Sequence, residues 1–166
     1  MSEAGPRLPA PVFHDPKHHI KIYHGDCVEI LAAIPENCVD LIFADPPYFL
    51  SNDGITCHAG RMVSVNKGDW DRSRGPDVNH EFNHAWLAAC QRVLKPNGTL
   101  WVSGTSHVIH SVGFAMQQLG LKLLNDITWA NPTPRPTFPA DTSRMLPRPS
   151  SGPAKTRRVA TRLTTN

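Results

Sequence analysis

The sequence predicts an α/β domain with a largely parallel sheet. Three observations carry this. Apolar runs of strand length alternate with segments of helical spacing. One of those runs, VDLIFA at 39–44, is nearly unbroken, as suits a strand covered on both faces. The stretches between strands are long enough for helical crossovers. Residues 1–19 read as a Pro-rich leader. The alternating run at 21–24 predicts a short strand ended by Gly25-Asp26. Asp26 can cap a helix, CVEILAAI, which Pro35-Glu36-Asn37 stops. Residues 45–79 are rich in Gly, Asn, Asp, Ser and Pro and show no long period, which predicts a functional loop. Residues 80–94 have helical spacing, and Lys95-Pro96-Asn97-Gly98 ends them in a turn. TLWVS (99–103) predicts a strand, 106–118 a weaker helix, and 123–129 (LLNDITW) another strand.

Composition sets the bounds. A chain of 166 residues with 40% hydrophobic and 19% charged residues suits one folded domain and excludes wholesale disorder. No apolar run reaches membrane-spanning length, and the first residues lack the apolar core of a signal peptide. The four cysteines form no CxxC pair, so they read as free thiols of a cytoplasmic protein. Charge is unevenly placed: residues 1–130 carry a net −3, whereas 131–166 carry a net +6 with 7 of the 16 prolines. The basic balance belongs to that tail and cannot mark the whole domain as a nucleic-acid binder.

Chemistry concentrates in Asp45-Pro46-Pro47-Tyr48, directly after VDLIFA. Ligands of open α/β sheets bind beyond the carboxyl ends of strands. Consecutive prolines remove backbone donors and leave carbonyl acceptors beside a carboxylate and an aromatic face. Such a group suits a planar ring with an exocyclic amine: Asp45 and the Pro46 carbonyl each accept one amine hydrogen, and Tyr48 stacks on the ring.

The segments YHGDCVEIL, VDLIFADPPY, NKGDWDRSRG, RVLKPNGTLWVSGT and ITWA together resemble the amino-methyltransferases of DNA, specifically adenine-N6 enzymes of the permuted β order. The resemblance covers about residues 20–130. It implies a partial Rossmann-like, S-adenosylmethionine-dependent methyltransferase fold, a restriction–modification setting, double-stranded DNA as partner and S-adenosylmethionine as cofactor. No metal or membrane is implied, and a homodimer stays open for the intact enzyme. The implied catalytic residues are Asp45, Pro46, Pro47 and Tyr48, acting on a base flipped from the duplex. Asp26 and Asp45 are the implied cofactor contacts, and Lys67, Trp70 and Trp129 the implied DNA or base contacts.

Each assignment has a plainer alternative. Asp26 reads equally as a helix cap, Lys67, Asp69 and Trp70 as a solvated loop, and Trp129 as core. Ser103 and Thr105 either line the base pocket or serve as turn residues. His14, His18 and His19 lack a ligating spacing. The glycine-rich loop that binds the cofactor's methionine end in this family has no counterpart after Tyr48, so the chain is expected to bind cofactor weakly and to be inactive alone. Two other functions stay open: a non-catalytic DNA-binding or assembly fragment, and a methyltransferase for cytosine-N4, RNA or a glutamine side chain.

The resemblance stops after Ala130. Read from the third base of codon 131, the codons for 131–145 permit P-N-P-P-P-N-L-S-C-R-Y-F-T-H, similar to the segment downstream of ITW in this family. Residues 131–166 are therefore expected to be a frameshifted, disordered tail. The alternative is a Pro/Arg-rich tail that binds phosphates.

Overall fold

The computed structural model describes residues 5–51, 55–58, 61–64, 66–106, 108–130 and 155–162. Strand β1 (Phe13–Asp15) and strand β2 (Ile20–Ile22) form an antiparallel hairpin. Asp15 accepts the Lys17 and His18 amides in its turn, and its carboxylate meets His18 Nδ1 at 2.7 Å. The expected leader thus contains a strand. Helix α1 (Cys27–Ala32) begins at Asp26, whose Oδ1 accepts from the Val28 and Glu29 amides at 2.8 and 3.1 Å.

Strand β3 (Val39–Ala44) follows, as the VDLIFA run predicts. The long loop differs from expectation. It contains a hairpin of β4 (Ile55–His58) and β5 (Arg61–Ser64), then a short 3-10 turn at Asp69–Asp71. Helix α2 (Pro76–Val93) starts earlier than periodicity predicts, because Pro76 supplies a preorganised first turn. Strand β6 (Leu94–Val102) pairs parallel with β3, and its register shifts between Val39 and Leu41. Gly98 sits in that irregular stretch. A Cβ there would stand 2.9 Å from the Lys95 carbonyl oxygen and 3.2 Å from that of Val39, so glycine alone fits. Helix α3 (Ile109–Gln118) and strand β7 (Ile127–Ala130) complete the predicted set.

The sheet order is β3-β6-β8-β7, where β8 is Lys155–Arg162. Two expectations change here. The sheet is mixed rather than largely parallel, since β8 lies antiparallel to both β6 and β7. An antiparallel neighbour needs no helical crossover, so strand–helix alternation earlier in the chain could not foretell it. Residues 155–162 are also a strand and not part of a structureless tail; Thr156, Val159 and Thr161 favour that state. The rest of the expected tail, 131–154 and 163–166, lies outside the described residues.

One face of β3 and β6 packs against α2 and α3. Leu87, Leu100, Val102, Val112 and Met116 form the centre of this core, all essentially inaccessible. The opposite face carries Leu41, Phe43 and Trp101, which are 58%, 63% and 38% exposed. No helix among the described residues is long and apolar enough to cross a membrane.

Candidate active site

Strand β3 ends at Ala44 and delivers Asp45 to the carboxyl edge of the sheet. Strand β6, its parallel neighbour, delivers Ser103 to the same edge, where the Ser103 amide donates to the Ala44 carbonyl at 2.9 Å. The Tyr48 side chain turns back onto this edge. Its hydroxyl donates to Asp45 Oδ1 at 2.6 Å and lies 3.1 Å from Ser103 Oγ, and Ser103 also donates to Asp45 Oδ1. Three residues from two strand ends thus share one hydrogen-bonded triangle. Of the two roles left open for Ser103, the structure favours a place in the site: it is buried and bonded to the tetrad carboxylate. Thr105 Oγ1 is buried with no hydrogen-bond partner, in the turn that starts α3.

The backbone after Asp45 is held from the far side. Asp71, 1% exposed, accepts from the amides of Tyr48 and Phe49 at 2.9 Å each, from Leu50 at 3.3 Å, and from Ser51 Oγ at 2.8 Å. Sequence reasoning missed Asp71. Its partners lie twenty or more residues upstream, and no local pattern announces them. Phe49 has φ 54, an uncommon value for a bulky residue, and its ring meets Phe82 edge-on at 6.0 Å.

The 66–72 segment covers the tetrad. The Lys67 amide donates to Ser51 Oγ at 2.8 Å, and Lys67 Nζ lies 5.4 Å from the centre of the Tyr48 ring, within reach of a cation–π attraction. Trp70 is exposed and leans on Gly68, whose φ of 112 demands glycine; a Cβ there would also stand 3.1 Å from the indole. The structure therefore brings Lys67 to the tetrad and leaves Trp70 facing outward beside it. Asp69 pairs with Arg72 at the surface at 3.3 Å. Trp129 lies in β7, on the far side of the sheet from β3.

A cleft of about 650 Å³ runs from Tyr23, Gly25 and Cys27 to Asp45, Pro46 and Pro47, with Leu41 and Phe43 on its wall. Gly25 of the GD step and Asp45, Pro46 and Pro47 of the tetrad, distant in sequence, all line it. Asp26 meets its cap role here, since Oδ1 takes both cap bonds. Polar ends and an apolar wall suit an amphipathic ligand such as a nucleoside with a charged side chain. Two thiols border the cleft. Burial raises the Cys27 thiol above its ordinary value, and the Asp26 charge adds to this. Burial, and secondarily Cys27, pushes Cys90 up to about 12.

Comparison with known proteins decides the family. A DNA methylase model, that of the N6/N4 enzymes, matches residues 39–156, more than half of the chain. The chain belongs to the N6/N4 DNA methylase family. This methylase chain is 44% identical over 128 residues to the type II methyltransferase M2.MboI of Moraxella bovis, covering 77% of this chain and 47% of that protein. It is 48% identical over 122 residues to the type II methyltransferase M2.DpnII of Streptococcus pneumoniae, covering 74% and 46%. The chain therefore spans about half the length of the curated relatives it matches. Its fold is similar to TTHA0409 of Thermus thermophilus, described as a DNA modification methylase, with TM-score 0.53 at 18% identity, covering 86% of this chain and 52% of that one. It is also similar to the PvuII DNA methyltransferase, cytosine-N4-specific, with TM-score 0.51 at 19% identity, covering 85% and 48%.

Proposed function

We propose that this methylase chain is the target-base part of a type II DNA adenine-N6 methyltransferase from a restriction–modification system, working in the cytoplasm on double-stranded DNA. The observation that carries the reading is the Asp45–Tyr48 pair at the carboxyl end of β3: a carboxylate acceptor with an aromatic ring bonded to it. An aromatic amine is a weak nucleophile because its lone pair is delocalised into the ring. Asp45 and the Pro46 carbonyl, each accepting one of its hydrogens, favour a pyramidal nitrogen with a localised pair. Pro47 stiffens the turn between them and Tyr48. The Tyr48 ring offsets part of the cost of unstacking the base.

S-adenosylmethionine, when bound, supplies an electrophilic sulfonium methyl. Asp45 in the 650 Å³ cleft, and Asp26, which caps α1 between the lining residues Gly25 and Cys27, are the groups that would hold it, with Leu41 and Phe43 as the apolar wall. Lys67 and Trp70, on the segment over the tetrad, are read as DNA contacts, and Trp129 as a more distant one. The preference for adenine is what the resemblance to the adenine-N6 enzymes implies for an Asp at the head of the tetrad; the carboxylate accepts from the exocyclic amine of either adenine or cytosine.

Residues 131–166 are read as the product of a shifted frame. The family match itself runs past Ala130 to residue 156, so the break in pattern does not coincide with its end.

The reading is tested by competition between duplexes that differ only in the base opposite one abasic site. Adenine should bind most tightly, and Asp45→Ala should remove the preference. Equal affinity for all four bases would contradict it.

A further inference from the structure

Asp71 is a buried carboxylate that the proposed chemistry does not use. It is 1% exposed, yet it lies within four residues of exposed Lys67 and Asp69 in a segment otherwise near the surface. Burying a carboxylate is costly unless donors surround it. Here the donors are the three successive amides of Tyr48, Phe49 and Leu50 and the Ser51 hydroxyl. Successive amides that converge on one anion form a nest, a backbone shape that needs a left-handed residue. Phe49 is that residue, at φ 54. Such backbone strain in a bulky residue persists only where its surroundings over-determine it. Asp71 supplies the anion, and Phe82 braces the Phe49 ring.

Ser51 completes the connection. Its Oγ donates to Asp71 Oδ2 and accepts the Lys67 amide, so the tetrad's exit and the 66–72 segment share one bonded unit. Tyr48 is held at both ends: its amide by Asp71, its hydroxyl by Asp45 and Ser103.

We propose that Asp71 is a positioning residue for the target base. By fixing the backbone of 48–51 it sets where the Tyr48 ring stands relative to Asp45, and it couples that geometry to the 66–72 segment. The base-binding part of this proposal rests on the function proposed for the chain; the anchoring part does not.

The test uses the full chain carrying Asp71→Asn, Asp71→Ala or Ser51→Ala, each checked for native circular dichroism. Amide hydrogen exchange is read at Tyr48, Phe49 and Lys67, with Val112 and Met116 in α3 as reference. Asp71→Ala should speed exchange at Tyr48 and Phe49 by about 10- to 100-fold while the reference stays fixed. Ser51→Ala should speed exchange at Lys67, whose acceptor it removes, and at Tyr48 to a lesser degree. Should Asp71→Ala fail to fold, Asp71→Asn and Ser51→Ala decide the question by the same readout. Unchanged exchange at Tyr48 and Phe49 would overturn the anchoring role.

A second readout separates positioning from general support. Tyr48→Ala is compared in the parent and in the Asp71→Asn background for affinity to the duplex with adenine opposite an abasic site. If Asp71 acts through Tyr48, the loss caused by Tyr48→Ala should largely vanish in the Asp71→Asn background. An equal loss in both backgrounds would overturn the positioning role. If the parent chain shows no preference for adenine, the proposed function falls, and exchange alone then decides whether Asp71 anchors the tetrad.

Discussion

The Tyr48 hydroxyl donates to Asp45 Oδ1 at 2.6 Å, so the two side chains of the tetrad that would meet the base already meet each other. An amine arriving at Asp45 must share that oxygen with the phenol or displace it. Removing the hydroxyl while keeping the ring relieves this competition. We therefore expect Tyr48→Phe to hold affinity for unpaired adenine within about threefold of the parent, whereas Tyr48→Ala should lose about 1–3 kcal/mol of stacking. Titration of the abasic-site duplex checks this, and equal losses for both variants would contradict it.

Arg92 ties α2 to the end of α1. Its Nη2 donates to the carbonyls of Leu31 and Ile34 at 2.6 and 2.8 Å, acceptors at and just past the helix end, where intrahelical donors run out. The contact with Glu36 at 3.8 Å is longer and adds little. Arg92→Ala should lower unfolding free energy by about 2 kcal/mol in urea titration, because two charge-assisted bonds are lost. Arg92→Lys should recover only part, since a point-like ammonium replaces a fork.

Much of this arrangement was legible in the residues. VDLIFA announced β3 through an unbroken apolar run, and the tetrad after it announced the site. The Gly25-Asp26 step announced the cap of α1. Contacts distant in sequence were not legible. Asp71 is one acid among several in a polar stretch, and only the fold shows that its partners are Tyr48–Ser51. Ser103 read equally as a turn residue until β6 was set beside β3. Strand β8 was hidden by its charge, because Arg157, Arg158 and Arg162 suggested a solvated tail. The hairpin β4–β5 lies in a stretch whose Gly and Asn content masks two short strands.

Cys90 gives the fold a dependence on alkaline pH. Burial, then Cys27, raises its thiol from an ordinary 9.0 to about 12, so the folded state prefers the neutral form. Below pH 9.0 the thiol is neutral in both states and costs nothing; above it the unfolded thiol ionises first, so stability falls as pH rises from 9.0 towards about 12. Urea midpoints should fall across that window, and fall less in Cys90→Val. Thiol labelling at neutral pH should modify exposed Cys38 first and spare Cys90 until the chain unfolds.

The shifted-frame reading of residues 131–166 makes a prediction about nucleic acid rather than protein. Resequencing across codons 129–132 and beyond codon 166 should find a reading frame, offset from this one, that continues the methylase pattern with a glycine-rich loop. An intergenic region directly after codon 166, with no such frame, would contradict it.

The most direct test of the central claim replaces the corresponding segment of M2.DpnII with residues 20–130 of this chain and identifies the methylated nucleoside in digested DNA by mass spectrometry. N6-methyladenine is the expected product, with no N4-methylcytosine. Asp45→Ala should cost about 2–4 kcal/mol in transition-state stabilisation, by analogy with loss of one preorganised transition-state partner. N4-methylcytosine as the product, or parental turnover in Asp45→Ala, would contradict it.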